Sequence, residues 1–95
     1  MFIVLLKFSG NKERAAALMP AHKEWLQRGF DDGVFLLTGS IQPSLGGTII
    51  VHGLARGDLN TRLAQDPFVA EGVVTLEILD IAPSRLDKRL SFLAG

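Results

Sequence analysis

Ninety-five residues, 47% of them hydrophobic, suit one compact domain and are too few for two. Ten basic and ten acidic side chains cancel and lie scattered along the chain, so there is no electrostatic footprint for nucleic acid or an anionic membrane surface. The absence of cysteine excludes disulfides, thiolate metal sites and cysteine nucleophiles.

Phe2 to Phe8 is rich in β-branched and aromatic residues and ends at Ser9-Gly10-Asn11, so it reads as the first strand. This opening run is apolar but lacks a basic leader and a small-residue cleavage site, and Lys7 ends it well short of a membrane span. The expectation is a buried strand in a cytoplasmic protein. Asn11 is the expected N-cap of a helix over Lys12 to Met19. Pro20 then predicts a kink or a restart, with a second helical part running to about Asp32 and Gly33 as its left-handed cap. In that second part His22 shares an apolar face with Trp25, Leu26, Gly29 and Phe30, while Lys23, Glu24, Gln27 and Arg28 fall on the opposite side. An inward imidazole is either a core residue with one satisfied hydrogen bond or, given a carboxylate partner, a base.

Val34 to Ile41 reads as the second strand, Gln42 to Gly47 as a short hairpin connection, and Thr48 to Gly53 as the third strand. A short helix follows, with Asp58 as N-cap and Leu59 and Leu63 turned inward. Asp66-Pro67 is expected to stop it, because a residue before proline is pushed out of the helical region. Phe68 to Gly72 then forms a loop, Val73 to Ile81 the fourth strand, and residues 84–94 a terminal amphipathic helix carrying Leu86, Leu90 and Leu93. The order βαββαβ plus a terminal helix is the α+β, ferredoxin-like arrangement. In strand one Phe2, Val4, Leu6 and Phe8 oppose Ile3 and Leu5; in strand two Val34 and Leu36 oppose Phe35 and Leu37. Both sheet faces are therefore apolar. Helices cover one of them, so a second copy of the sheet is expected to cover the other, giving a face-to-face homodimer.

A carboxylate for His22 is available in Gln65-Asp66-Pro67-Phe68. His22 with Trp25-Leu26, Gly33, Gly39-Ser40, Gly47, Asp66-Pro67-Phe68 and Gly72-Val73, in that order, resemble the YciI-like (YCII-related) family over nearly the whole chain. The resemblance implies a dimeric α/β barrel similar to the muconolactone isomerases, and a cleft holding a His–Asp dyad, here His22 and Asp66. The chemical precedent it brings is a relative that eliminates chloride from a chlorinated hydroxyquinol. The short hairpin and the tail after Ile81 depart from that pattern.

An aspartate that accepts a hydrogen bond from one ring nitrogen orients the imidazole and leaves the other nitrogen for proton transfer, with no metal or organic cofactor. Structural readings stand beside this one. Asp66 is also a helix-ending residue before proline, and Ser40, outside any Gly-x-Ser-x-Gly elbow, is a strand-end residue or a ligand donor. Trp25 is expected as core or cleft wall, and Phe68 as an anchor beside Asp66; with Ser40 they form the expected substrate-binding set. His52 is read as a rim residue, too isolated for zinc. Lys7, Thr38, Thr75 and Glu77 are polar positions on apolar strands, explained by strand-end solvation or by lining the cleft. The expected function is a cofactor-independent lyase or isomerase acting on a compact aromatic or enol-like molecule; the alternative is a noncatalytic dimeric ligand-binding or accessory protein.

Overall fold

Alternation of apolar side chains across the pleat sets the architecture. The computed structural model describes residues 1–94. Strand β1 (Phe2–Phe8) buries Phe2, Val4 and Leu6 on one face and leaves Ile3, Leu5 and Lys7 on the other. It lies at the centre of a four-stranded sheet, flanked by β3 (Gly46–Val51) and β4 (Val74–Asp80), with β2 (Phe35–Ile41) at the edge beyond β3. All three pairings are antiparallel. Helix α1 (Ala15–Asp31) connects β1 to β2, and α2 (Arg56–Ala64) with the one-turn α3 (Pro67–Ala70) connects β3 to β4. The βαββαβ order and the β2-β3-β1-β4 sheet make this an α+β ferredoxin-like fold.

The core lies between the helices and one sheet face. Trp25 of α1, Leu59 and Leu63 of α2 and Phe68 of α3 pack against Val4, Phe35, Ile49 and Val51. At about 25 cal/mol per Å² of apolar surface, each such side chain contributes roughly 1.5–3 kcal/mol. Gly29 lets α1 approach the sheet closely, since a Cβ there would run into the Phe35 ring.

Several boundaries differ from the sequence expectation. Helix α1 passes through Pro20 without a restart: a 3-10 turn at Lys12–Arg14 leads into it, and Pro20 is its sixth residue, where only one backbone hydrogen bond is lost. Asn11 makes no capping bond; its amide donates to the Glu71 carbonyl at 3.2 Å. Ala55, not Asp58, is the N-cap of α2, and Asp58 sits in the first turn, where its charge favours the positive helix end. Gly33 takes φ +74° just past the end of α1, as a left-handed cap requires. β3 starts two residues earlier than expected, because Gly46 pairs with both Ile41 and Lys7, so close to the Leu6 carbonyl that no side chain fits.

The strand-two parity is also corrected. A bulge between Phe35 and Leu37 turns Phe35 (2% exposed) toward the core and Leu37 (47% exposed) away from it; Thr38 and Ser40 then pair with Ile49 and Gly47 on the helix side. The expected terminal helix is reduced to 3-10 turns over Lys88–Ala94, interrupted at Leu90. Leu90 and Phe92 remain exposed and Leu86 and Leu93 are only half-buried, and so short a segment with so little of it packed does not hold an α-helix. Arg89 donates to Asp87 from its backbone and its side chain, and this holds the exposed Asp87 carboxyl below its usual range.

Candidate functional site

Asp66 is the residue that most needs explaining. It is 0% exposed, yet it carries a carboxylate. The sequence Asp-Pro places it at the N-cap of α3, with Pro67 as the first helical residue, and its Oδ1 accepts from the Phe68 backbone N–H at 3.1 Å. The expectation of a loop after Asp66 is therefore corrected: the pair that stops α2 also starts α3. The same Oδ1 lies 2.7 Å from His22 Nδ1, while Oδ2 is buried without a partner among the described residues. With Nδ1–H donating to Asp66, His22 Nε2 keeps no protein partner among the described residues.

The ring of His22 is fixed from its face as well. It stacks on Phe68 with centroids 4.0 Å apart and planes 2° from parallel, and Trp25 lies 6.0 Å away on a 26° tilt. Trp25, expected as core or cleft wall, is core: it is 1% exposed, its indole N–H donates to the Arg62 carbonyl at 3.0 Å, and its edge meets Phe35. It supports His22 from beneath rather than bordering the opening.

The His22 ring borders a cavity of about 270 Å³ between α1 and the hairpin end of the sheet. Phe68 and Ser40 also border it, as do Leu6 and Phe8 of β1 and the hydroxyl-bearing Thr38; Thr48 borders it too, but its hydroxyl is turned to the Val4 carbonyl at 3.0 Å. Gly47, paired with Leu6 and Ser40 on the helix side, brings no side chain to this part of the sheet. On α1 the lining runs Met19, His22, Lys23, Leu26, a stripe with i, i+3, i+4, i+7 spacing. Lys23 was expected on the far side of the helix with Glu24 and Gln27. The face drawn from His22 with Trp25, Leu26, Gly29 and Phe30 takes in Trp25 and Gly29 of the deep core, whereas the cavity faces a neighbouring stripe, to which Met19 was the available pointer. Lys7 and Glu77 stay outside, paired with each other at 3.3 Å on the open sheet face. His52 is half-buried at the end of β3; its Nε2–H donates to the Gly33 carbonyl at 2.9 Å, and Phe92 meets the ring edge-on. Among the described residues no three of His, Cys, Asp and Glu converge as a metal-ligand group, and no helix is long and apolar enough to cross a membrane.

These features describe a ferredoxin-like domain with a small, mostly apolar cavity whose wall includes an imidazole 2.7 Å from a buried aspartate. The chain belongs to the YCII-related domain family, which it matches over residues 1–82. Among solved structures it is similar to 5-chloro-2-hydroxyhydroquinone dehydrochlorinase (TftG) from Burkholderia phenoliruptrix AC1100 in complex with 2,5-dihydroxybenzoquinone. The TM-score is 0.70 at 13% sequence identity, over 86% of this chain and 94% of that one. No curated protein matches the sequence.

Proposed function

We propose that this chain is a cofactor-independent lyase or isomerase for a compact aromatic or enol-like molecule, with His22 as general base and acid and Asp66 as the residue that orients it. The observation that carries the reading is the division of labour between the ring nitrogens: Nδ1 is held at 2.7 Å by a fully buried carboxylate, and the ring borders the cavity. In the reaction, Nε2 takes a proton from a hydroxyl or an activated carbon of the bound molecule. The released electron pair forms a new double bond and either expels a leaving group with its bonding pair or displaces the neighbouring π pair, which takes the proton back from the imidazolium at another carbon. Asp66 selects the Nδ1–H tautomer of the neutral ring, which puts the lone pair on Nε2, and stabilises the imidazolium formed midway. Ser40 donates a hydrogen bond to the substrate, and Phe68 holds the imidazole plane while presenting apolar wall. The likeness to a dehydrochlorinase supports a proton-coupled elimination as the first reaction to test.

We further propose that the chain acts as a homodimer. Ile3, Leu5, Ile50, Leu37 and Leu79 lie on the sheet face that no helix covers, and Leu37 and Leu79 are 47% and 42% exposed. A second sheet packed on this face would bury them.

The test is a turnover screen of hydroxylated and halogenated aromatics, starting with 5-chloro-2-hydroxyhydroquinone and reading chloride release, on the parent and on His22→Gln. Glutamine keeps a donor toward Asp66 but cannot shuttle a proton, so turnover should fall about 100- to 10,000-fold while binding persists. A compound turned over equally by both proteins would sink the assignment of His22. Binding without turnover in the parent would favour a ligand-binding module instead.

A further inference from the structure

We propose that Lys23 sets the charge of the molecule this cavity takes: a compact, largely apolar compound bearing one acidic oxygen group, held as an anion by the Lys23 ammonium at the cavity mouth. The inference rests on the reading of the cavity as the His22 site and extends it to a substrate class.

Lys23 follows His22 directly on α1 and shares the lining stripe with Met19 and Leu26, but its side chain is exposed where that of His22 is mostly covered. No Asp or Glu lines the cavity; besides the His22 ring and Lys23 itself, its polar side chains on the helix side of the sheet are the neutral hydroxyls of Thr38 and Ser40. Four other basic residues are matched to carboxylates, in the pairs Lys7–Glu77, Arg14–Glu71, Arg62–Asp32 and Arg89–Asp87. Lys23, like Lys12, Arg28, Arg56, Arg85 and Lys88, has no such partner among the described residues, and of these six it is the one in the cavity lining, where an apolar wall weakens screening by water; the Lys12 ammonium, 5.0 Å from the centroid of the lining residue Phe8, adds to the same positive field. Asp66 does not neutralise it, because that carboxylate is sealed behind the His22 ring and engaged there. A neutral guest gains nothing from this ammonium and a cationic one is repelled; an anionic guest gains a charge-assisted hydrogen bond. The same charge matches the proposed chemistry. Removal of a proton by Nε2 leaves a negative oxygen on the substrate, and a fixed cation beside the cavity lowers the energy of that state. With about 270 Å³ available, the guest is no larger than a substituted single ring.

The bland role for Lys23 is to drape its methylenes over Met19 and Leu26 with the amine in water. The experiment separates the two with paired probes, 4-hydroxybenzoate and its uncharged counterpart 4-hydroxybenzamide, titrated into the parent, Lys23→Met and Lys23→Arg and followed by NMR shifts of His22 and Ser40. Methionine keeps the apolar stem and removes the charge. The parent should prefer the benzoate by about five- to tenfold, the preference should shrink with added salt, Lys23→Met should abolish it and Lys23→Arg should keep most of it. Equal affinity for the two probes, or a preference that survives Lys23→Met, overturns the assignment and leaves the His22 site standing. If neither probe shifts His22 or Ser40 at about 10 mM, both the assignment and the cavity reading fall.

Discussion

Replacing Asp66 by alanine or by asparagine separates its two jobs. In Asp66→Ala the capping bond to the Phe68 N–H, 3.1 Å in the native protein, is lost at a cost of about 1 kcal/mol. The His22 Nδ1–H loses its acceptor in a side chain only 13% exposed, which costs a further ~1–2 kcal/mol. The sum, about 2–3 kcal/mol, is a large part of the roughly 5–14 kcal/mol available to a chain of this length. It corresponds to a thermal midpoint lower by about 10–20 °C. Asp66→Asn retains an oxygen that can accept from both donors, but it sets an amide where Oδ2 has no partner, so it should cost nearer ~1 kcal/mol. The assay is urea unfolding of the three proteins followed by tryptophan fluorescence, since Trp25 packs against His22. Nitrogen NMR of the His22 ring accompanies it. The parent should hold its neutral ring as the Nδ1–H tautomer, and Asp66→Ala should release it to exchange between forms. A cost below about 1 kcal/mol for Asp66→Ala, or equal costs for the two variants, would refute the claim that both hydrogen bonds act in the folded state.

Two further outcomes follow from geometry. Gly46→Ala puts a methyl group against the Leu6 carbonyl at φ +138°, where strain and overlap together should cost about 3–4 kcal/mol; a change in unfolding free energy under about 1 kcal/mol would contradict the close approach. Leu79→Glu places a charge on the open sheet face at a side chain already 42% exposed, so the far-ultraviolet circular dichroism should stay as in the parent while sedimentation shifts to the monomer; an unchanged sedimentation coefficient would remove this face from the dimer contact.

Much of the fold was legible because each strand carries its own signal. β1 and β4 are long apolar or β-branched runs bounded by turns, and the expected strands match them to within a residue or so. The elements that were misread are those in which one residue type has two uses. Gly46-Gly47 resembles a turn, yet it is strand, because only glycine can sit so close to β1. Asp66-Pro67 carries both a stop and a start signal, and the start, an Asx cap with proline next, describes α3. Leu86, Leu90 and Leu93 have helical spacing, but spacing alone does not supply the surface that a helix must pack on. For the candidate site, His22, Ser40, Asp66 and Phe68 could be picked out by residue type and family pattern, and the structure gathers them around or behind one cavity. Lys23 escaped notice because a helical wheel centred on the deepest residues assigns every charged neighbour to solvent, whereas α1 faces two environments along adjoining stripes.

The bulge in β2 works on the cavity much as a frameshift works on a message. Strict alternation from Phe35 would have sent Leu37 and Gly39 toward the helices and Thr38 and Ser40 outward. One supernumerary residue at Leu36 reverses the phase of everything after it, so hydroxyls meet the cavity and leucine meets the outside without any change in the order of the letters. What the cavity can recognise is therefore encoded partly in a count of residues. In related sequences a gap or an insertion at this point would rewrite the lining of the cavity more thoroughly than most substitutions within it.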